Sequence, residues 1–344
     1  MTSQDQHPAP PTPRSLTHRS RLSAEFLVVV YIAVIAALAR FLGIPYLLFP
    51  ELGALVYDVL IRPWGKWASQ PIKLVVTPAI TAFLGTVVTR HFSFNGLTVL
   101  LIVALSTVVI ALLRSSIAPA MSAGVLPLVL GVKSWLYPSS IILTLIALSA
   151  ISVNWRKFHL RSASQPAPPP DVEDILESLP HGRIWLVVFL VFVVVAAEAA
   201  RLSGLRFILF PPLVTMAYEM FGHPETCPWT KRPVSLPISC FVVAFCGLLV
   251  FHAFGANMGA AASACAIVCG IVVLRIFDLH MPPAMAVGLL PAVMISPDLK
   301  FPFAVLAGTL FLTGSFLLYQ RFGPRFAGPG RISAPSGMDG LSES

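Results

Sequence analysis

The sequence predicts an all-α polytopic membrane protein built from two parallel tandem repeats, and three observations support this prediction. The 344 residues are 56% hydrophobic and only 11% charged, whereas a soluble globular chain is about 25% charged. Several apolar runs approach or reach the ~20 residues that cross a bilayer. The third observation is an internal repeat. The clearest apolar runs are Phe26–Gly43, Ile184–Ala200, Phe241–Phe254, Ala260–Val273 and Phe303–Tyr319.

The internal repeat aligns Leu38–Leu60 with Ala199–Phe221 and continues through the rest of both halves. Shared apolar composition would match Leu with Val, but it would not place Pro, Gly, Trp and Arg in the same order. The sequence therefore predicts a duplicated unit. The matches include Arg40 with Arg201, Trp67 with Trp229, and Pro119–Pro127 with Pro283–Pro291.

Charge and composition divide the chain into five segments. Basic residues flank the spans at both termini and between the halves, and the positive-inside rule places all three regions in the cytoplasm. Each half then crosses the cytoplasmic (inner) membrane an even number of times, which makes the repeats parallel. The expected segments are a disordered N-terminus at 1–25, a first repeat at 26–153, a linker at 154–183, a second repeat at 184–320 and a disordered tail at 321–344.

Each repeat is predicted to contain about four to six membrane helices. Tyr46–Leu60 and Ile117–Val132 are short and start beside proline, which suits the first turn of a helix. They are predicted to be half-spans or re-entrant segments, shielded from lipid by protein or water. The six elements of the first half are Phe26–Gly43, Tyr46–Leu60, Lys73–Thr89, Gly96–Leu113, Ile117–Val132 and Ser139–Val153.

The segment Asp278–Leu289 resembles the signature of the HPP family of integral membrane proteins, which is named for a His-Pro-Pro followed by small residues. Phe210–Leu213, Pro228-Trp229 and Ala244–Gly247 resemble earlier elements of that family in the right order. The resemblance implies a transmembrane bundle. Some plant and cyanobacterial members are associated with nitrite movement, so it also implies anion transport as a class.

This chain departs from the signature at the histidine. Met281 directly precedes Pro282-Pro283, and His280 stands one place earlier. In the first half, Ser116 occupies the position of His280, and Ala118 replaces the first proline.

The predicted substrate path combines helix N-termini with repeated arginines. Helices that start at Pro119 and at Pro282 or Pro283 would present unpaired N–H groups and partial positive charge to a small anion; the alternative is a kink that shapes packing. Arg40 and Arg201 would line the path or, alternatively, snorkel to the interface. Ser116 and His280, just before these helices, complete the predicted path.

Four acidic residues are candidate proton or charge partners. Asp58 and Glu219 recur at equivalent places and would carry a proton, or else act as interfacial acids beside Arg62 or Lys231. Glu198 precedes Arg201 by one helical turn and would neutralise it. Asp278 accompanies His280, which would relay protons or lie exposed at a loop end.

The sequence thus predicts membrane transport of a small solute, an inorganic anion by resemblance, through a channel or secondary transporter without ATP. No nucleotide or catalytic motif indicates an enzyme, and neither a cofactor nor a metal site is expected. The predicted partners are the bilayer and the anion, without nucleic acid; a homo-oligomer is left open. The alternatives are an intramembrane enzyme using His280, Asp278 and Glu198, and a scaffold or sensor with a solid core.

Overall fold

The computed structural model describes residues 16, 18–161, 180, 184–225, 227–254 and 258–326. Over these residues the chain is helical, with short 3-10 turns and no strand. Within the same residues, seven helices are long and apolar enough to cross a membrane. The chain is therefore an all-α polytopic membrane protein.

The chain contains both long and short helices. In chain order they are α1 (His18–Phe41), α2 (Glu51–Ile61), α3 (Lys66–Ser69), α4 (Pro71–His91), α5 (Gly96–Leu112), α6 (Pro119–Leu130), α7 (Leu136–Arg161), α8 (Ile184–Ser203), α9 (Pro211–Gly222), α10 (Ser235–Phe254), α11 (Gly259–Ile276), α12 (Pro282–Leu289) and α13 (Lys300–Phe326).

Several helices extend past the boundaries predicted from the sequence. α1 begins at His18, inside the predicted N-terminal tail, and α7 and α13 continue to Arg161 and Phe326. A helix can continue through polar and basic residues beyond the apolar run, because its backbone hydrogen bonds form within the helix whether or not lipid surrounds it. The predicted element 46–60 is instead a 3-10 turn followed by α2, whose start is set by Pro50 at its N-cap. The remainder of the predicted tails and linker lies outside the described residues.

The short helices form the centre of the bundle. Every residue of α2 and α12 is buried, and so is nearly every residue of α6 and α9. α2 packs on α12, and α6 packs on α9, so each pair joins the two halves. Long helices also pack across the two halves, α1 on α11 and α5 on α8. The two halves are therefore interlocked.

Both halves start and finish at one end of the molecule, which we call proximal; the opposite end is distal. Trp155 of α7 donates from Nε1 to the carbonyl of Leu60, at the end of α2, at 3.0 Å. At the end of α9, the Tyr218 ring lies 5.5 Å from that of Trp185 at the start of α8. If the shorter apolar helix α5, which has 17 residues, is added to the seven candidate spans, each half contains four long apolar helices, an even number as parallel repeats require.

Equivalent residues of the two halves make equivalent contacts. Trp67 donates from Nε1 to the carbonyl of Ser116 at 2.8 Å, and Trp229 donates to the carbonyl of His280 at 3.3 Å. The backbones of α4 and α6 approach at Gly85, where an added Cβ would lie 2.0 Å from the Gly124 carbonyl oxygen. At the corresponding approach of α10 to α12, a Cβ added at Gly247 would lie 2.3 Å from the Gly288 carbonyl oxygen.

The N-terminus of α6 lies about half-way along α4. Thr81, at the middle of α4, donates from Oγ1 to the carbonyl of Ala120 at 2.6 Å. The C-terminal part of α12 passes the middle of α10, since a Cβ added at Gly288 would lie 3.1 Å from Val243 Cγ1. Both helices then run toward the distal end, enclosed by protein on all sides.

Gly85→Ala is expected to destabilise the protein, because α4 and α6 must separate to admit the methyl group. The expected loss of unfolding free energy is about 1–3 kcal/mol, typical of overpacking. Gly314→Ala in α13 is the matched control, since a Cβ there meets nothing within 4 Å. Thermal unfolding midpoints in detergent should fall for Gly85→Ala only. Equal midpoints for the two variants would contradict the close approach.

Candidate functional site

The interior contains a charge centre formed by Asp58 of α2, Arg62 at the C-cap of α2 and His280, which precedes α12. Asp58 Oδ1 accepts a hydrogen bond from Arg62 Nη1 at 3.1 Å and lies 3.1 Å from His280 Nε2. The exposed fractions of these side chains are 1% for Asp58, 7% for Arg62 and 20% for His280. The charge centre therefore joins a residue of the second half to a pair from the first.

Local structure positions each member of the charge centre. Asp58 and Arg62 lie one turn apart, so α2 places them on one face. α11 ends in a Schellman turn, in which Leu279 N–H donates to the Leu274 carbonyl at 2.9 Å. Asp278 occupies the left-handed position of that turn, with φ 50°. The turn and the Trp229 hydrogen bond direct His280 toward α2, where its ring stacks on Tyr57 at 5.6 Å.

A related group of polar residues combines two residues of the second half with one of the first. Glu219, His223 and Ser116 occupy the positions equivalent to Asp58, Arg62 and His280, and all three are buried. Glu219 lies within electrostatic range of Asp58. The interior thus holds two repeat-related carboxylates, one of which is matched by an arginine on its own helix.

An ion-pair layer lies between the charge centre and the proximal surface. Glu25 of α1 accepts hydrogen bonds from two nitrogens of Arg275 of α11, with Nε at 3.2 Å from Oε1. Arg21 Nε lies 3.4 Å from the same oxygen. Arg21 and Arg275 are about half exposed, whereas Glu25 is 8% exposed. Tyr57 lies within electrostatic range of Arg21 and Glu25, which links this layer to the charge centre.

Arg40 and Arg201 lie apart from the charge centre. Both side chains are exposed near the distal ends of α1 and α8. Arg201 donates to Glu198 at 2.6 Å, as their spacing predicts, and Glu198 also accepts from the Gly96 N–H at 2.7 Å. Glu198 therefore caps α5 and is not placed to carry a proton through the interior. The exposure of both arginines near the ends of their helices avoids the cost of a buried charge.

The proline-started helices lie where the sequence predicts, but the N-terminus of α12 lies beside a carboxylate of the chain itself. Pro119 opens α6, and Pro282 with Pro283 opens α12. Asp58 lies beside the N-terminus of α12 through its contact with His280. The partial positive charge of that terminus therefore acts on a carboxylate of the chain itself.

Asp278 is exposed and serves the turn that ends α11, so it is not a partner of His280 in a shared site. The three residues of the enzyme alternative do not gather, because Glu198 caps α5 at the distal end while His280 lies against α2 toward the proximal end. Among the described residues, no group of three His, Cys, Asp or Glu side chains is arranged to hold a metal ion.

Sequence reasoning missed Glu51, the first residue of α2. Glu51 is 1% exposed, and neither carboxyl oxygen has a hydrogen-bond partner among the other described residues. In the sequence it follows Pro50 at the start of an apolar run, where an acid looks like an ordinary first-turn residue. The repeat could have drawn attention to Glu51, because the equivalent position in the second half is Pro212 and the acid is therefore specific to the first half.

Comparison with known proteins adds no relative. A scan against protein-family models gives no match, and searches of curated proteins and of solved structures give none either. The resemblance of Asp278–Leu289 to the HPP signature therefore stays a prediction from the sequence.

Proposed function

We propose that this protein moves a small monovalent anion across the membrane, as a secondary transporter or channel that uses no ATP, and that the charge centre binds the anion. The observation that carries the proposal is a pair of nitrogen donors, the buried Arg62 and the partly buried His280, at the contact between the two halves. Ionisable residues inside membrane proteins are costly and mark solute or proton pathways.

The energetics of the charge centre favour a functional origin. Replacing a buried ion pair by well-packed apolar residues is often neutral or stabilising. A chain that needed only to pack α2 on α12 would gain little by burying Asp58, Arg62 and His280 together. The presence of all three side chains supports a site whose residues exchange hydrogen-bond partners during transport.

In the proposed mechanism the anion competes with Asp58 for its two partners. Arg21 and Arg275 at the proximal surface raise the local anion concentration. The anion then accepts hydrogen bonds from Arg62 and His280 while Asp58 withdraws. Because α2–α12 and α6–α9 join the halves, relative motion of the halves would expose the charge centre to either side.

The resemblance to HPP proteins supports a nitrite-like anion as the solute. The proximal end carries many basic residues, including Lys66 of α3, Lys73 in the first turn of α4 and Arg156 near the end of α7. The positive-inside rule supports the assignment of this end, and of both chain termini, to the cytoplasm.

Uptake by proteoliposomes tests the proposal. Purified protein is reconstituted, and uptake of nitrite, nitrate, chloride and formate is compared with uptake by protein-free liposomes. We expect at least one of these anions to enter faster with protein present. An Arg40→Ala/Arg201→Ala variant should retain this flux, since both arginines are exposed at the distal end. Equal rates for all four anions with and without protein would overturn the proposal.

A further inference from the structure

Glu51 is the strongest unexplained feature of the interior. It is 1% exposed, and no other residue in the described part of the chain gives either carboxyl oxygen a hydrogen bond; the backbone N–H of Glu51 itself also acts on the carboxylate. A buried carboxylate without a partner is one of the most costly arrangements in a protein. The second half has Pro212 at the equivalent position, so the fold of the unit does not require a carboxyl group there.

Glu51 lies deep in the bundle, on the helix that carries the charge centre. Gly53, on the same turn of α2, packs against Leu289 and the Met285 carbonyl of α12. Glu51 and Asp58 are about two turns apart and therefore share one face of α2. An ion bound at Glu51 is thus connected to the charge centre by a single short helix.

The elements packed on α2 supply no cation for Glu51. These elements are α1, α3, α6, α7 and α12, and neither α6 nor α12 contains an ionisable side chain. Tyr137 of α7 lies within electrostatic range, but its hydroxyl donates to the Ala123 carbonyl at 2.7 Å.

The other ionisable groups on those elements are engaged or lie toward the ends of the bundle. Tyr31 of α1 donates to the Thr144 carbonyl at 2.6 Å. The remaining groups near the start of α1 are His18, Arg19, Arg21 and Glu25, the last of which is paired with Arg21 and Arg275. The others are Arg40, which is exposed; Lys66 of α3; and Arg156, Lys157 and His159 near the proximal end of α7.

We propose that Glu51 binds a proton that crosses the membrane together with the anion, an inference that rests on the proposed function. With the site open to one side, the Glu51 carboxylate takes a proton from hydronium, leaving water. With the site open to the other side, the O–H bond breaks and the proton returns to water. Protonation removes a negative charge from the path of the anion. One proton and one monovalent anion carry no net charge, so transport is electroneutral.

Two assays on Glu51→Gln proteoliposomes separate the coupling proton from the anion pathway. The first measures accumulation of nitrate, nitrite, chloride or formate driven by a pH gradient, and the second measures exchange of the same anion without a gradient. Gradient-driven accumulation by the wild type should not respond to a potassium diffusion potential. Glu51→Gln should lose accumulation by at least about tenfold, the scale of a lost charge interaction, yet keep the exchange rate.

Two further variants complete the test. Glu51→Asp retains the carboxyl and should retain accumulation. Glu198→Gln alters an acid at the distal end and should leave both assays unchanged. Thermal unfolding of Glu51→Gln should occur at or above the wild-type midpoint, because the carboxyl has no hydrogen-bond partner to lose.

The outcomes distinguish the inference from the proposed function. Accumulation by Glu51→Gln equal to that of the wild type would overturn the role of Glu51, and so would a wild type that exchanges anions but ignores the pH gradient. A Glu51→Gln protein that unfolds would contradict the absence of a partner. Failure of the wild type to exchange any anion would overturn the proposed function itself.

Discussion

Replacing Asp58 with alanine should cause the largest loss of stability among the substitutions considered, on the order of 3–5 kcal/mol. The substitution removes the carboxylate that holds Arg62 and His280 at 3.1 Å each. The Arg62 side chain is only 7% exposed, so its charge would stay in the interior without this counterion. The thermal unfolding midpoint in detergent measures the effect.

The neutral pair Asp58→Asn/Arg62→Gln is the matched control for this loss. Asparagine and glutamine preserve volume and hydrogen bonding while removing both charges, so most of the stability should return. Glu198→Ala removes a cap of α5 and an ion pair with the half-exposed Arg201, and it should cost clearly less, about 1 kcal/mol. A midpoint for Asp58→Ala equal to that of the wild type would mean that the charge centre does not exist as described.

An anion that binds the charge centre should raise the thermal midpoint of the wild type. Ligand at 100 times its Kd stabilises the folded state by about 2.7 kcal/mol. Nitrite, nitrate, chloride and formate can be compared at constant ionic strength, with gluconate as a bulky reference anion. The shift should disappear in Asp58→Asn/Arg62→Gln, which lacks the guanidinium that attracts the anion.

The reference anion and the double variant identify the source of any shift. A rise shared by gluconate would indicate a general salt effect, and a rise retained by the double variant would place the anion elsewhere in the protein. Either result would remove the charge centre from the proposed mechanism. No shift with any of the four small anions would argue against an anion as the solute.

Much of the helical layout follows from the sequence because apolar runs and prolines act locally. The predicted starts near Lys73, Gly96 and Ile117 correspond to α4, α5 and α6, each of which begins at a proline or after an Asn cap. The duplication remains an inference from the sequence. The structure adds matched contacts of Trp67 and Trp229, and of Gly85 and Gly247.

The charge centre could not be assembled from the sequence, because it depends on how the halves interlock. Asp58 and His280 are separated by 222 positions and meet only because α2 packs on α12. Arg40 and Arg201 were predicted to line the path because they recur at equivalent positions of the two halves. Equivalent positions in a repeat do not indicate how deep a side chain lies in the bilayer. Arg62 follows Asp58 by four residues in the sequence, but its burial follows from the C-terminal end of α2 lying inside the bundle.

The most direct measurement of the central claim is the initial rate of anion uptake by proteoliposomes containing wild type or Asp58→Asn/Arg62→Gln, at equal amounts of folded protein. If the charge centre binds the transported anion, the wild type should exceed protein-free liposomes, and the double variant should fall by at least about tenfold. Equal uptake by the two proteins would contradict this account of the pathway. Uptake no faster than in protein-free liposomes would contradict transport itself.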